Sequence, residues 1–139
     1  MKSRIDTPGF DDRRFLLDVT LLRDGIRSFD DFPFCVPAVR HLETLDLDHD
    51  VTFFIGENGT GKSTLLEAIA VAWGMNPEGG GRNFNFSTRA MHSPLDNHLR
   101  LTRSHKMASD CFFLRAESFY NVATEVDELN RVRGGMLSW

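Results

Sequence analysis

The sequence predicts an α/β fold built around a parallel core sheet, and two consecutive segments carry this prediction. Residues 51–55, VTFFI, are apolar apart from one threonine, a pattern typical of a parallel strand that is covered on both faces. From Lys62 to Trp73 apolar side chains recur at helical spacing, and Gly74 and Pro77 follow as stop signals. A strand, a glycine-rich loop and a helix are therefore expected between residues 51 and 77.

Length and composition limit what this fold can contain. The chain has 139 residues, 41% of them hydrophobic, with a formal net charge of -4. This predicts one domain, or part of one, with enough apolar residues for a core. The acidic balance argues against a generally basic nucleic-acid wrapper. Cys35 and Cys111 form no CxxC pair, which favours a reduced, cytoplasmic compartment. The longest nearly apolar run is too short to span a bilayer, so no membrane association is expected.

The flanking segments predict further strands and one more helix. Alternating apolar residues from Phe15 to Leu21, and again at Leu45 and Leu47, indicate half-buried strands. Short strands are expected near 84–86 and 99–101. Residues 111–114 predict a buried strand in the same sheet as residues 51–55, and residues 122–129 predict a helix.

The loop between the predicted central strand and helix has the composition of a phosphate-binding loop. Gly56, Gly61, Lys62 and Ser63 fit the pattern G-x-x-x-x-G-K-[ST], in which backbone N–H groups and the N-terminus of the next helix surround phosphate oxygens. Glycine is required where a Cβ atom would obstruct the turn or the ligand. In this pattern the lysine reaches the β and γ phosphates and the hydroxyl binds Mg²⁺. The alternative is a glycine-rich turn with a chance lysine.

The finer sequence of the loop resembles a particular class of ATPases. The run G-x-N-G-x-G-K-S-T resembles the Walker A motif of ABC-type ATPases, and the following LLEAI resembles the RecF and SMC side of that class. Over residues 32–130 the chain is similar to bacterial AAA-type ATPases of the ABC and SMC-like superfamily. The nucleotide-binding residues that the resemblance implies are Gly56, Glu57, Asn58, Gly59, Thr60, Gly61, Lys62, Ser63 and Thr64.

The resemblance also implies a fold, ligands and a partner. It implies a P-loop NTPase of ABC type, in which an N-terminal antiparallel β subdomain precedes the parallel core sheet. The ligands are ATP and Mg²⁺, with Ser63 as the metal ligand and Lys62 in the catalytic machinery, and the assembly is a homodimer. We expect residues 1–139 to be the N-terminal part of one such domain. Its segments would be 1–50 (β subdomain), 51–77 (strand, loop and helix), 78–110 (irregular basic insertion) and 111–133 (strand and helix).

Several family features have no match in the sequence, which leads us to expect a truncated domain. Hydrolysis in this class uses an apolar strand that ends in Asp-Glu, but the only such pair after Lys62 is Asp127-Glu128, within a helical pattern. No LSGGQ-like signature is present. The chain also lacks glutamine, and Glu117 or Ser118 stands where the family places a glutamine near the γ phosphate. Glu117 is therefore a catalytic candidate, with a solvated carboxylate as the alternative.

Other side chains are better explained without a ligand. The histidines at 92, 98 and 105 match no zinc pattern. Phe32 or Phe34 could stack on adenine, as an aromatic residue does in ABC cassettes, although core packing is the simpler interpretation. Between Arg82 and Lys106 the chain has five basic residues and one acid. These could meet DNA phosphates, but a solvated loop explains them without a further assumption and is preferred.

Three functions therefore stay open at the level of the sequence. The first is an ATPase completed by a C-terminal half and a second copy. The second is a nucleotide-binding module without turnover. The third is a P-loop kinase, which is disfavoured because such kinases usually place the loop near the N-terminus.

Overall fold

The computed structural model describes residues 14–47, 49–81 and 93–115. Two short 3₁₀ segments lie at Arg23–Gly25 and Pro94–His98. The remaining elements, in chain order, are β1 (Leu16–Leu21), α1 (Pro37–Arg40), β2 (Thr44–Asp46), α2 (Lys62–Trp73), β3 (Gly80–Gly81), β4 (Leu99–Arg103) and β5 (Phe112–Phe113).

The main sheet is antiparallel and three-stranded, in the order β2-β1-β4. Val19 at its centre pairs with Leu45 on one side and Leu101 on the other. Asp18 accepts a hydrogen bond from the Thr102 hydroxyl at 2.8 Å, so its polar side chain is used within the sheet. The predicted strands around Phe15–Leu21, Leu45–Leu47 and Leu99–Leu101 are therefore confirmed.

Helix α2 packs on this sheet and supplies part of the core. It begins at Lys62 and ends at Trp73, as the sequence predicts, and Gly74 ends it with φ of 102°. An L-residue rarely adopts that backbone conformation, which explains why glycine stands there. The helix contributes Leu65 and Ala68 to a cluster completed by residues from the sheet, the α1 region and the second 3₁₀ segment: Val19, Leu21, Phe34, Val39, Leu42, Leu95 and Leu99.

The prediction of a central parallel strand at residues 51–55 is wrong for the described part of the chain. These residues form no strand, and Val51, Phe53 and Ile55 are 65%, 81% and 93% exposed. Only Phe54 packs against the core. The physical reason is that a strand with two apolar faces needs neighbouring strands and covering layers, and no described strand lies beside this run.

The predicted strand at residues 111–114 is also corrected. Only Phe112–Phe113 is a strand, and it pairs antiparallel with Gly80–Gly81 in a separate two-stranded ribbon. Phe112 is 55% exposed and Leu114 62% exposed, so this segment is not buried and does not share a sheet with residues 51–55. The expected strand near 84–86 and the helix at 122–129 lie outside the described residues.

No parallel pairing occurs among the described strands, so the observed architecture is a small α/β arrangement with an antiparallel sheet. None of the described helices is both long enough and apolar enough to cross a membrane.

Candidate phosphate-binding site

The candidate site is the loop that leads from the exposed apolar run into α2. Two of its glycines have positive φ, 84° at Gly59 and 95° at Gly61, a conformation that residues with a Cβ atom rarely adopt. Gly61 is also the N-cap of α2. The loop therefore turns sharply just before the helix begins, as the P-loop pattern predicts.

The α1 segment packs directly against this turn. A Cβ atom added at Gly61 would lie 2.4 Å from Val36 Cγ2, so a side chain at this position would clash. The backbone N–H of Ala38 donates to the carbonyl oxygen of Thr60 at 2.9 Å. Residues 36–38 therefore fix where the loop turns, and only glycine fits at the point of closest approach.

The N-terminus of α2 has the electrostatic character of an anion site. No side chain caps it, and its first turn contains no acidic residue. The N–H groups of a first turn have no partner inside the helix, and the helix dipole adds partial positive charge there. Lys62 adds a full positive charge at the same end. Together these groups favour a ligand with several negative oxygens.

A cavity of about 280 Å³ opens beside this helix end. Ser63, which is exposed, lines it together with Lys62, so a residue with a hydroxyl and a residue with an ammonium group border the same space. That pairing suits a phosphate ligand with an associated divalent cation. The complete lining is Phe32, Val36, Asn58, Gly59, Gly61, Lys62, Ser63 and Thr64.

Lys62 turns back onto its own loop. Its Nζ donates to the carbonyl oxygens of Gly56 at 2.7 Å and Glu57 at 2.6 Å. It also lies 3.4 Å from the Thr60 hydroxyl oxygen. The ammonium group is thus held against the backbone of its own loop.

The two candidate aromatic residues differ in burial. Phe34 is 9% exposed and packs edge-on against Phe29 and His98, with ring centroids 6.3 and 5.1 Å away. Phe32 is 65% exposed and lines the cavity beside the loop. Core packing is therefore confirmed for Phe34 and wrong for Phe32. Sequence composition carries no signal that separates them, because both lie in the same apolar, proline-containing segment.

Of the other candidate residues, His98 and His105 are described and do not line this cavity. Glu117 and the Asp127-Glu128 pair lie outside the described residues. Within the described ranges, no group of three or more His, Cys, Asp or Glu side chains could hold a metal ion. His98 contacts the Phe34 ring instead.

A larger cavity, of about 500 Å³, lies away from the loop. It occupies the space between the start of β1, the apolar run and one face of α2, where Phe54, Leu66 and Ile69 contribute to its lining. Its walls are mainly apolar, and none of the loop residues 56–64 lines it. The smaller cavity is the better candidate for a phosphate ligand, because Lys62 and the N-terminus of α2 lie beside it.

In a comparison with protein families, the chain matches the family described as AAA domain over residues 22–118. The matched range begins just after β1 ends at Leu21, and it includes α1, β2, the whole glycine-rich loop, α2 and β4. No curated protein matches the chain significantly, and no solved structure does.

Proposed function

The chain belongs to the AAA domain family, and we propose that its loop of residues 56–64 binds the phosphates of Mg-ATP. AAA domains are in general nucleotide-binding ATPases, which sets the class of ligand. The choice of loop rests on one observation: Lys62, the exposed Ser63 and the uncapped N-terminus of α2 border a single cavity.

The lysine contacts indicate how the loop receives a nucleotide. Lys62 Nζ is held by two carbonyl oxygens of its own loop, and the β and γ phosphates would offer charged acceptors in the same region. A phosphate oxygen carries a full negative charge and a carbonyl oxygen only a partial one, so the ammonium group is attracted more strongly to the phosphates. Lys62 therefore gains by turning toward the phosphates, while backbone N–H groups of the loop bind the remaining oxygens.

Ser63 is the residue that fits the metal ion. Ser63 is exposed and lines the cavity beside Lys62, and its hydroxyl offers oxygen, the ligand type that Mg²⁺ prefers. The bound ion would neutralise charge on the β and γ phosphates. Within this proposal Ser63 supplies one oxygen ligand, and water and phosphate oxygens supply others.

Phe32 is the residue we assign to the base of the nucleotide. It is largely exposed, and it lines the same cavity as Lys62. An exposed aromatic ring beside a phosphate site offers a flat apolar face on which adenine can stack. The preference for ATP over GTP follows from the family resemblance rather than from this contact, and competition between the two nucleotides tests it.

Hydrolysis of ATP is the activity of the family, and we propose that it depends on groups beyond the phosphate-binding loop. Catalysis of phosphoryl transfer depends on positioning and on electrostatic stabilisation of the γ phosphate. The loop supplies part of that machinery, and we propose that a second copy in a homodimer supplies another part. Glu117 is the candidate catalytic carboxylate within this chain.

A DNA partner is less well supported by the described residues. Arg103, from the basic segment, lies over the Trp73 ring with its guanidinium carbon 4.4 Å from the centroid. It also donates to the carbonyl oxygens of Ala72 and Trp73 at 3.3 and 3.4 Å. Arg103 therefore binds the C-terminal end of α2, which accounts for its charge without a DNA ligand.

Substitution of the loop lysine tests the proposal. Removing a charge-assisted donor should cost about 1.5 to 3 kcal/mol, so Lys62→Ala should weaken binding of a fluorescent ATP analogue by about tenfold or more. Lys106→Ala is the matched control, because it removes a lysine outside the loop. Equal affinities for the wild type and Lys62→Ala would contradict the proposal that this loop binds the phosphates.

Phosphate release from the same proteins separates an ATPase from a binding module. At saturating Mg-ATP we expect residues 1–139 to bind ATP without measurable turnover. Phosphate release that persists in Lys62→Ala measures contaminating ATPase. Turnover that disappears in Lys62→Ala would show that this chain contains its own catalytic carboxylate. Transfer of phosphate to a second substrate rather than to water would favour a kinase.

A further inference from the structure

We propose that Thr60 is a positioning residue that holds Lys62 ready for a phosphate ligand, an inference that rests on the proposed function. The Thr60 hydroxyl donates to the carbonyl oxygen of Glu57 at 2.9 Å. Lys62 Nζ donates to that same carbonyl at 2.6 Å and lies 3.4 Å from the Thr60 hydroxyl oxygen. The three groups therefore form one closed cluster inside the loop.

Thr60 acts through Lys62 and not by touching the ligand. Its side chain is not among those that line the 280 Å³ cavity, whereas the neighbouring Gly59, Gly61 and Lys62 are. The hydroxyl points instead across the loop to Glu57. A direct hydrogen bond from this hydroxyl to a phosphate would require the loop to rearrange.

The shared carbonyl explains what the hydroxyl contributes. When Lys62 turns toward a phosphate, the Glu57 carbonyl loses its charged donor. The Thr60 hydroxyl continues to donate to that carbonyl, so the cost of releasing Lys62 is lower and the turn keeps its shape. Leaving a polar group without its protein partner costs free energy even when water replaces part of the bond.

Two neighbours determine the position available to Thr60. The backbone of Thr60 is anchored by the hydrogen bond from Ala38 N to its carbonyl oxygen. On the other side, a Cβ atom added at Gly56 would lie 3.3 Å from Thr60 Oγ1. The first glycine of the motif thus leaves the space that this hydroxyl occupies, which links Gly56 to Thr60.

A double-mutant cycle on Mg-ATP affinity tests this role. Thr60→Val keeps the branched shape and removes the hydroxyl, and we expect it to weaken binding by about threefold to tenfold, the effect of one lost hydrogen bond. Thr60→Ser keeps the hydroxyl and should stay within about twofold of the wild type. In a Lys62→Ala background, Thr60→Val should have no further effect, because the residue through which it acts is gone.

The outcomes separate this inference from the proposed function. If Lys62→Ala weakens binding but Thr60→Val does not, the positioning role is wrong and the phosphate site stands. If Thr60→Val weakens binding equally with and without Lys62, the hydroxyl acts on the loop or the ligand directly, and the inference is again wrong. Equal Mg-ATP affinities for the wild type and Lys62→Ala would overturn both the positioning role and the phosphate site. A thermal melt of each variant establishes that it is folded.

Discussion

At the scale of single residues, Gly61 carries two separate constraints. Its φ of 95° disfavours any side chain, and its missing Cβ leaves room for Val36. Gly59 and Gly74 have similarly positive φ, at 84° and 102°, but an added Cβ would meet nothing within 4 Å at either position. Comparing the three glycines therefore distinguishes the cost of a left-handed backbone from the cost of a steric clash.

This difference predicts an order of stability. Gly59→Ala and Gly74→Ala should each lower the free energy of unfolding by about 1 to 2 kcal/mol, the cost of a left-handed L-residue. Gly61→Ala should lower the free energy of unfolding by about 1 to 3 kcal/mol more than these two, because Val36 or the loop must move. Urea unfolding measures all three variants. Equal losses would mean that Val36 does not restrict the loop.

The motif predicts one feature of the loop that the structure shows, the left-handed backbone at Gly61. It also names Lys62 and Ser63, whose roles toward phosphate and metal stay predictions. The sequence does not distinguish Phe32 from Phe34, because an aromatic side chain serves equally well in a core or beside a ligand. The structure distinguishes them, because Phe34 is buried in the core and Phe32 is exposed.

At the scale of elements, an ion pair connects α2 to the last described residue, Arg115. Arg115 Nη1 lies 2.8 Å from Glu67 Oε2, and the two side chains are only 28% and 17% exposed. The same nitrogen donates to the carbonyl oxygen of Pro77 at 3.0 Å. This contact joins the helix that begins at the loop to the segment that follows β5.

Neutralising this pair should destabilise the protein. Glu67→Gln keeps the shape and removes the charge that faces a largely buried arginine, so we expect a loss of about 1.5 to 3 kcal/mol in urea unfolding. Asp30→Asn is the matched control, because Asp30 is 85% exposed and 3.5 Å from Arg40, and exposed pairs contribute about 0 to 1 kcal/mol. Similar losses in both variants would show that burial does not strengthen the Glu67 contact.

Local patterns predict some elements completely and others only in part. Helix α2 matches its predicted bounds because its apolar spacing and its glycine stop both lie within a short stretch of sequence. The strands β1 and β2 are predicted by alternation for the same reason. Residues 51–55 have the composition of a buried strand, but strand formation depends on partners distant in sequence, which an apolar run alone does not supply.

At the scale of the whole molecule, the exposed apolar run is the feature that governs association. Phe53 and Ile55 are 81% and 93% exposed, on a segment that forms no strand. A run of exposed apolar side chains of this kind favours association with another molecule. We therefore expect residues 1–139 to self-associate in a concentration-dependent manner.

Replacing two side chains of the run should reduce this association. Phe53→Ser with Ile55→Ser removes apolar area worth about 1.5 to 3 kcal/mol per side chain, so the dissociation constant in sedimentation experiments should rise by about tenfold or more. Met107→Ser is the control, because Met107 is 90% exposed but lies outside the run. A wild-type monomer at every concentration, with a high and concentration-independent melting temperature, would contradict the prediction.

The most direct test of the central claim, that residues 56–64 bind the phosphates of Mg-ATP, is to observe their amides during a titration. In ¹⁵N–¹H NMR spectra, adding Mg-ATP should shift the resonances of Gly59, Gly61 and the first turn of α2 more than any others. Inorganic pyrophosphate with Mg²⁺ should shift the same group without moving residues near Phe32, and Lys62→Ala should suppress both responses. Largest shifts around the apolar cavity near Leu66, with the loop unchanged, would contradict the account.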